Sequence, residues 1–247
     1  MIKNRQKKLK LYICSIILFV LLVLALLFYF GVLHLNNPST KAYPVKGVDV
    51  SSYQGEVDWD TLSEQNISFA YIKATEGSSY IDDRFEYNWK NASGCNLRIG
   101  AYHFFSFESS GEAQAKHFIN TVTAIDNMLP PVIDVEYYGR FHTNEDIVVL
   151  DVVRELRSMV DILTETYGMK PIIYVSEETY TTIVQGNFDD CKLWYRSVYS
   201  GVPNDVEWTF WQYSNRHHLK GYNGSERYID MNVFNGSAAD FFLRNDI

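Results

Sequence analysis

The chain has 247 residues, of which 47% are hydrophobic, 21% charged and 15% aromatic. This composition suits one full domain, or two small ones, with a sizeable core, and it excludes a disordered or fibrous chain. The net charge is −8, yet the first ten residues hold five cations and no acid. The remainder is therefore strongly acidic, which argues against broad nucleic-acid binding because that function normally needs a basic surface.

The first predicted element is an uncharged apolar run at residues 11–33, long enough to cross a bilayer as a helix. The basic tail before it, residues 1–10, should stay cytoplasmic and leave the rest of the chain outside the cell membrane. The run is longer than the apolar region of a signal peptide and lacks a small-residue cleavage site. An uncleaved signal anchor is therefore favoured over a cleaved signal peptide. It is also favoured over a buried core helix, since no polar face interrupts the run.

A short polar segment follows the predicted anchor. Residues 34–46 contain Pro38 and Pro44 and are interpreted as a linker. One domain, without internal repeats or low-complexity segments, is then predicted over residues 47–247.

Eight short runs rich in β-branched and aromatic residues make up the predicted strands of this domain. They are residues 47–50, 69–73, 98–104, 131–136, 171–175, 192–195, 208–213 and 228–232. Helical patterns occupy residues 112–121 and 144–167, the second followed by Gly168 as a C-cap signal. The alternation predicts an α/β barrel in which the last two connections are too short for full helices. Catalytic groups of such barrels collect at the carboxyl ends of the strands.

The three cysteines and the histidines show no metal-binding spacing, and no metal or cofactor is predicted. Cys14 lies in the predicted anchor. Cys95 and Cys191 precede the third and sixth predicted strands at the amino end of the barrel, too far apart for a disulfide. Both are expected to be unpaired.

The sharpest chemical signal is the pair Asp134 and Glu136 at the end of the fourth predicted strand. Residues i and i+2 of a strand face the same way, so both carboxyl groups enter one space. Close carboxylates push each other's pKa apart, and one neutral acid beside one ionised carboxylate is what glycosidic cleavage requires. The alternative is a polar strand end with one acid capping a helix.

Two further acids interrupt apolar strands. Asp49 lies in the first predicted strand and Asp230 in the last, and these strands are neighbours in a closed barrel. All four acids are therefore expected to converge on one mouth. Asp49 could instead cap the turn at Ser51, and the four acids could bind a divalent cation. The abundance of aromatic residues favours a sugar ligand over the cation.

Aromatic rings on or just after the strands offer flat faces to the C–H groups of sugars. The candidate substrate-binding residues are Tyr53, Tyr71, Tyr102, His103, Phe104, Tyr174, Trp194 and Gln212. Most aromatic residues in any sequence belong to the core, and for His103 a hydrogen-bonded core position is the more usual role. Lys73 and Glu76 are expected to form a structural ion pair.

Five blocks of the sequence, in order, resemble glycoside hydrolase family 25, the muramidases often called Chalaropsis-type lysozymes. They are GVDVSSYQGEVDW (47–59), AYIKATEG (70–77), IGAYHFF (99–105), PPVIDVE (130–136) and FWQYS…IDMNVFNG (210–236). The resemblance spans the predicted domain. The segment LWYRSVY (193–199) departs from the small residues that usually follow this tryptophan in the family.

The resemblance implies an irregular TIM-like barrel of eight strands with fewer helices. It also implies cleavage of the β-1,4 bond between N-acetylmuramic acid and N-acetylglucosamine. The family's catalytic glutamate falls on Glu136, its partner on Asp134, and its accessory aspartates on Asp49 and Asp230. Asp134 could attack the sugar, or it could orient the substrate's own acetamido group, which is the preferred interpretation.

The predicted protein is thus a membrane-anchored hydrolase with a monomeric catalytic domain that acts on peptidoglycan glycan strands. Two alternatives stay open. One is a barrel glycosidase acting on another acetamido-sugar polymer, and the other is a catalytically silent wall-binding module. The intact pair of Asp134 and Glu136 argues against the silent module.

Overall fold

The computed structural model describes residues 2–34 and 36–243. The chain divides after residue 35 into two compact units. The first contains the helix α1 (Ile2–Tyr29), whose segment Arg5–Tyr29 is long and apolar enough to cross a membrane. The helix ends four residues before the apolar run does, because Gly31 takes a positive φ of 64°. Apart from that end, the predicted helix is confirmed.

The second unit is a barrel whose strands account for all eight predicted runs. The barrel strands are β1 (Lys46–Val50), β2 (Phe69–Glu76), β4 (Arg98–Phe104), β5 (Val132–Val135), β6 (Ile172–Val175), β7 (Leu193–Arg196), β8 (Phe210–His217) and β9 (Ile229–Phe234). A two-residue strand that the sequence did not reveal, β3 (Tyr80–Ile81), pairs with the end of β2 outside the barrel. The sheet closes because β1 pairs with both β2 and β9.

The direction of the last strand sets this barrel apart from a wholly parallel one. Within the barrel, neighbouring strands pair in parallel from β1 through β2 and β4 to β8. Strand β9 is antiparallel to both β8 and β1. The start of β9 therefore lies at the end of the barrel where the other strands finish. Two register shifts in β8 accompany its pairing with β9.

The helices are fewer than the strands and concentrate in the first two thirds of the unit. They are α2 (Trp59–Ser63), α3 (Phe85–Ala92), α4 (Gly111–Thr121), α5 (Val149–Tyr167), the single turn α6 (Glu177–Thr179) and α7 (Ala238–Leu243). Gly168 caps α5 in the left-handed conformation with a φ of 66°, as predicted. In the described residues, the connections from β7 to β8 and from β8 to β9 contain no helix. The prediction of an irregular barrel is confirmed.

Two apolar clusters hold the barrel together. The larger lies between the strands and the surrounding helices, where α4 and α5 pack closely enough that Gly111 has no room for a Cβ beside the Glu155 carbonyl. The smaller fills the barrel interior with rings such as Phe69 and Phe210. Phe241 of α7 packs against Phe69 and Phe234 and closes the amino end. The interior is thus solid at that end, and open space remains only where the parallel strands finish.

The segment expected to be a linker lies against the barrel. Asn36 donates to the carbonyls of Ser197 and Ser200, and the ring of Tyr43 packs against Trp208. Cys95 and Cys191 precede β4 and β7 as predicted, and both are free thiols.

Candidate active site

A cleft of about 460 Å³ opens at the carboxyl ends of the parallel strands. All four predicted acids line it: Asp49, Asp134, Glu136 and Asp230. So do most of the predicted substrate-binding residues, namely Tyr53, Tyr102, Phe104, Tyr174, Trp194 and Gln212. The expected convergence of acids and aromatic rings at one mouth is therefore observed.

Asp134 and Glu136 project into the cleft from β5 and the residue just beyond it, because side chains two apart share one face of a strand. Asp134 is 8% exposed, and its Oδ1 has no hydrogen-bond partner within the described part of the chain. Burial, and then the charge of Glu136, raise the pKa of Asp134 well above its usual value. Burial also raises the pKa of Glu136, which Arg196 lowers and Asp49 raises. The pair thus keeps a proton where isolated carboxyl groups have lost theirs.

Asp49 and Asp230 lie directly opposite each other in the antiparallel pair of β1 and β9. Burial raises the pKa of both, and the charge of Asp49 adds to the increase at Asp230. Asp230 reaches the mouth only because β9 is reversed, since the mouth lies at the start of that strand.

Two side-chain amides support this second pair of acids. Gln212 Nε2 donates to Asp49 Oδ2 at 3.0 Å and to Asp230 Oδ2 at 3.2 Å. Asn232 Nδ2 donates to Asp49 Oδ2 at 2.7 Å. Behind them, Tyr174 donates to Gln212 Oε1, and the indole of Trp194 donates to Asn232 Oδ1. Gln212, Tyr174 and Trp194 were predicted to bind substrate. Besides lining the cleft, they hold the acids in place.

Two cations lie near the acids. Lys73 Nζ forms the expected ion pair with Glu76 at 2.7 Å, and both residues line the cleft. Arg196 follows Trp194 on the same face of β7, and its charge acts on Glu136 and Asp230. Arg196 belongs to the segment 193–199, and it places a positive charge beside the acids.

Aromatic rings form the walls of the cleft. Tyr53 is 62% exposed at the rim, which leaves its face free for a ligand. Phe104 meets the ring of Tyr138 edge to face at 5.4 Å. The hydroxyl of Tyr138 accepts from the Phe107 amide and is hydrogen-bonded to Ser106, so this ring is held in place. Fixed rings beside an open cleft suit the C–H faces of a sugar.

Two predicted substrate-binding residues lie elsewhere. Tyr71 is fully buried in the barrel interior, where its ring packs against Trp194 and its hydroxyl donates to the Pro130 carbonyl. His103 faces outward from β4, because its neighbours Tyr102 and Phe104 face inward. It is buried between Thr75 and Gln114, to which it is hydrogen-bonded. Both predictions were wrong, and both side chains belong to the core.

Several cleft residues escaped the sequence analysis: Gln54, Tyr138, Asn215, Glu226 and Tyr228. Most of them lie on loops, where no periodicity indicates which way a side chain points. Asn232 also escaped, although it shares the inward face of β9 with Asp230 and the spacing of two could have revealed it.

A metal is not indicated by this arrangement. Within residues 2–34 and 36–243, no three His, Cys, Asp or Glu side chains are placed to hold a metal ion. Asp49 Oδ2 instead accepts hydrogen bonds from two side-chain amides. An oxygen that coordinated a metal would not need both of these donors. The cleft therefore offers acids that can give and take protons, surrounded by aromatic rings.

Comparisons with known proteins agree with this geometry. The sequence matches the profile described as glycosyl hydrolases family 25 over residues 48–222. It is 34% identical to Lysozyme M1 of Streptomyces globisporus over 220 residues, covering 79% of this chain and 69% of that protein.

Solved structures show the same likeness. A family 25 glycosyl hydrolase from Bacillus anthracis superposes with a TM-score of 0.77 at 46% identity, covering 85% of this chain and 96% of that one. A bacterial lysozyme from Streptomyces coelicolor gives a TM-score of 0.71 at 33% identity, covering 80% and 94%.

Proposed function

Because the chain belongs to glycosyl hydrolases family 25 and is therefore a glycosidase, we propose that it is a peptidoglycan hydrolase. In this proposal it cleaves the β-1,4 bond between N-acetylmuramic acid and N-acetylglucosamine. Its likeness to a protein named Lysozyme M1 supports the substrate class. The observation that carries the proposal is the pair of buried Asp134 and half-buried Glu136 in an aromatic-walled cleft.

Glu136 is proposed as the general acid and base. Its raised pKa keeps a proton available for the leaving glycosidic oxygen, and the carboxylate formed then activates water. The proton is lost as the pH rises through the raised pKa, so cleavage should fall on the alkaline side. A single group can serve both steps because the second step returns the proton that the first one used.

Asp134 is proposed to orient the substrate's own acetamido group. Its buried Oδ1 lacks a hydrogen-bond partner in the described residues, and an acetamido N–H is a donor of the kind that this atom needs. Accepting that N–H favours the charged form of Asp134, which lowers its pKa when substrate binds. The proton of the pair is thereby kept on Glu136 as the acetamido oxygen attacks the anomeric carbon.

Mutation of the proposed acid tests the activity. Glu136→Gln should abolish the decrease in turbidity of purified peptidoglycan while leaving the melting temperature and wall binding unchanged. Glu165→Gln, on an exposed position of α5, is the matched control and should lyse normally. Product masses from the wild type identify the bond that is cut. Full activity of Glu136→Gln would remove Glu136 from the role, and no lysis by the folded wild type would favour a binding module.

A modified substrate tests the role of Asp134. Glycan strands without the N-acetyl group beside the scissile bond cannot supply the acetamido oxygen, so their cleavage should fall sharply. Undiminished cleavage would show that Asp134 attacks the sugar directly.

The N-terminal unit is proposed to anchor the enzyme. Residues 11–33 would span the cell membrane, residues 1–10 would stay in the cytoplasm, and residues 47–247 would form the catalytic domain outside. The exposed apolar surface of α1 and the basic tail before it support this topology. Fractionation without detergent should recover the enzyme with membranes. Recovery of the catalytic domain wholly in the medium would show instead that the segment is a cleaved signal sequence.

A further inference from the structure

The paired acids Asp49 and Asp230 share one donor. Their strands place them directly opposite, and Gln212 Nε2 lies 3.0 Å from Asp49 Oδ2 and 3.2 Å from Asp230 Oδ2. Two ionised carboxylates held this close in a poorly solvated cleft repel each other, so a proton on one of them is favoured. The surrounding donors indicate which of the two acids holds it.

The indole of Trp194 fixes the first of these donors. An indole N–H can only donate, so the atom of Asn232 that it meets at 2.8 Å must be the amide oxygen. The other end of Asn232 is then an NH₂ group, and it lies 2.7 Å from Asp49 Oδ2. That oxygen of Asp49 is an acceptor and carries no proton.

Gln212 adds a second donor to the same oxygen. Its Oε1 accepts from the Tyr174 hydroxyl at 2.9 Å, which leaves Nε2 facing the acids. One N–H goes to Asp49 Oδ2 at 3.0 Å and the other to Asp230 Oδ2 at 3.2 Å. Asp49 thus receives two amide donors and Asp230 receives one longer one. Hydrogen bonds to a carboxylate stabilise its charged form, so the negative charge belongs on Asp49.

We propose that Asp230 is held as a neutral acid beside an ionised Asp49. In this arrangement Asp49 is a positioning residue whose fixed negative charge keeps the proton of Glu136 in place. This inference rests on the proposed function insofar as it assigns a purpose to that charge. The assignment of the proton itself follows from the donors around the two acids.

Several other charged groups act on Asp230. Glu136, Asp49 and Glu226 favour its neutral form, whereas Arg196 favours the charged form. Burial and Asp49 raise the pKa of Asp230 well above its usual value, which agrees with a neutral acid. Among the acids, Asp49 raises the pKa of Glu136, which agrees with the purpose assigned to its charge.

Asparagine variants of the full-length protein in detergent separate the two acids. Asp230→Asn replaces a neutral acid with a neutral amide, so the alkaline limb of its pH profile on peptidoglycan should stay where the wild type has it. Asp49→Asn removes the charge, so the alkaline limb should move toward acid by about one pH unit. Asp126→Asn, on an exposed loop at the other end of the barrel, is the matched control.

Any other pattern of shifts in the alkaline limb contradicts the assignment of the charge to Asp49. If Asp230→Asn alone moves the limb, the charge is on Asp230. If both variants move it, both acids are ionised, and if neither does, Asp49 does not act on Glu136. Asp230→Asn decides by itself should Asp49→Asn not fold, since a shifted alkaline limb in that variant contradicts a neutral Asp230.

A second measurement does not depend on catalysis. At neutral pH, Asp230→Asn should melt close to the wild type. Asp49→Asn should melt lower, because Asn232 and Gln212 both lose their anionic acceptor. If the wild type does not lyse peptidoglycan, the proposed function fails. The comparison of melting temperatures still tests which of the two acids carries the proton. The reverse order of melting temperatures would show that the assignment is wrong.

Discussion

The indole N–H of Trp194 begins a chain of contacts that ends on Asp49, so Trp194→Phe tests whether that chain aligns the site. Phenylalanine keeps an aromatic face in the cleft and removes the donor. Asn232 is fully buried, and its Oδ1 takes its hydrogen bond from this indole. Without the donor, the amide of Asn232 loses the contact that fixes its oxygen end and keeps only its own hydrogen bond to Asp49.

The magnitude follows from the burial of both partners. Trp194 is 2% exposed, so Asn232 Oδ1 would be left unsatisfied at a cost of about 1–3 kcal/mol. The smaller ring loses roughly 1 kcal/mol more in packing. Since each kcal/mol corresponds to about 2–4 °C in a domain of this size, the melting temperature should fall by roughly 5–15 °C. Misplacement of Asp49 should lower kcat by about 10²-fold.

Trp211→Phe is the matched control. Trp211 is 7% exposed on the outer face of β8, and its indole N–H donates to the Ser197 carbonyl at 2.9 Å. It should lose comparable stability and keep its kcat. Thermal melts and initial rates of peptidoglycan lysis, taken well below both melting temperatures, provide the comparison. Equal rates in the two folded variants would refute the idea that the Trp194 indole aligns the acids.

Three further results are expected. Arg196→Met removes a cation that lowers the pKa of Glu136, so the alkaline limb of the rate profile should move to higher pH; a limb that stays in place would contradict this. Gly100→Ala would place a Cβ 2.3 Å from the buried Tyr71 ring, so it should destabilise the fold by about 1–3 kcal/mol in denaturant unfolding, and an unchanged midpoint would be inconsistent. Burial lowers the pKa of His103 to about 3, so the unfolded chain takes up this proton first as the pH falls. Stability should then drop by roughly 1.4 kcal/mol per pH unit below about pH 6, and His103→Gln should remove that component from a pH series of unfolding curves.

The strands were predictable from the sequence because each is a continuous run of β-branched and aromatic residues buried on both faces. Two features of the sheet were not. The two-residue strand β3 has exposed side chains, so no apolar pattern marks it. The reversal of β9 depends on the short connection from β8, and a run of apolar residues carries no information about its direction.

The four acids of the site were predictable because an acid inside an apolar strand is costly without a partner. The alternation of side chains could have corrected one error. If Tyr102 and Phe104 face the cleft, His103 between them cannot. Tyr71 shows a different limit, since it faces inward as predicted but lies too deep in the barrel to reach the cleft. Depth depends on how neighbouring strands are staggered, which one sequence does not reveal.

The reversal of β9 is what allows four carboxyl groups to share one mouth. In a parallel β9 the mouth would receive Phe234, and Asp230 would lie at the closed end with no partner. The reversed strand instead sets Asp230 against Asp49 and places Asn232 below it, opposite Gln212. Each acid then has a neighbour with which to share a proton, or an amide that donates to it. The cost of placing four acids in a partly buried cleft is reduced by the same contacts that fix their orientation, so the strand direction links the stability of the mouth to its chemistry.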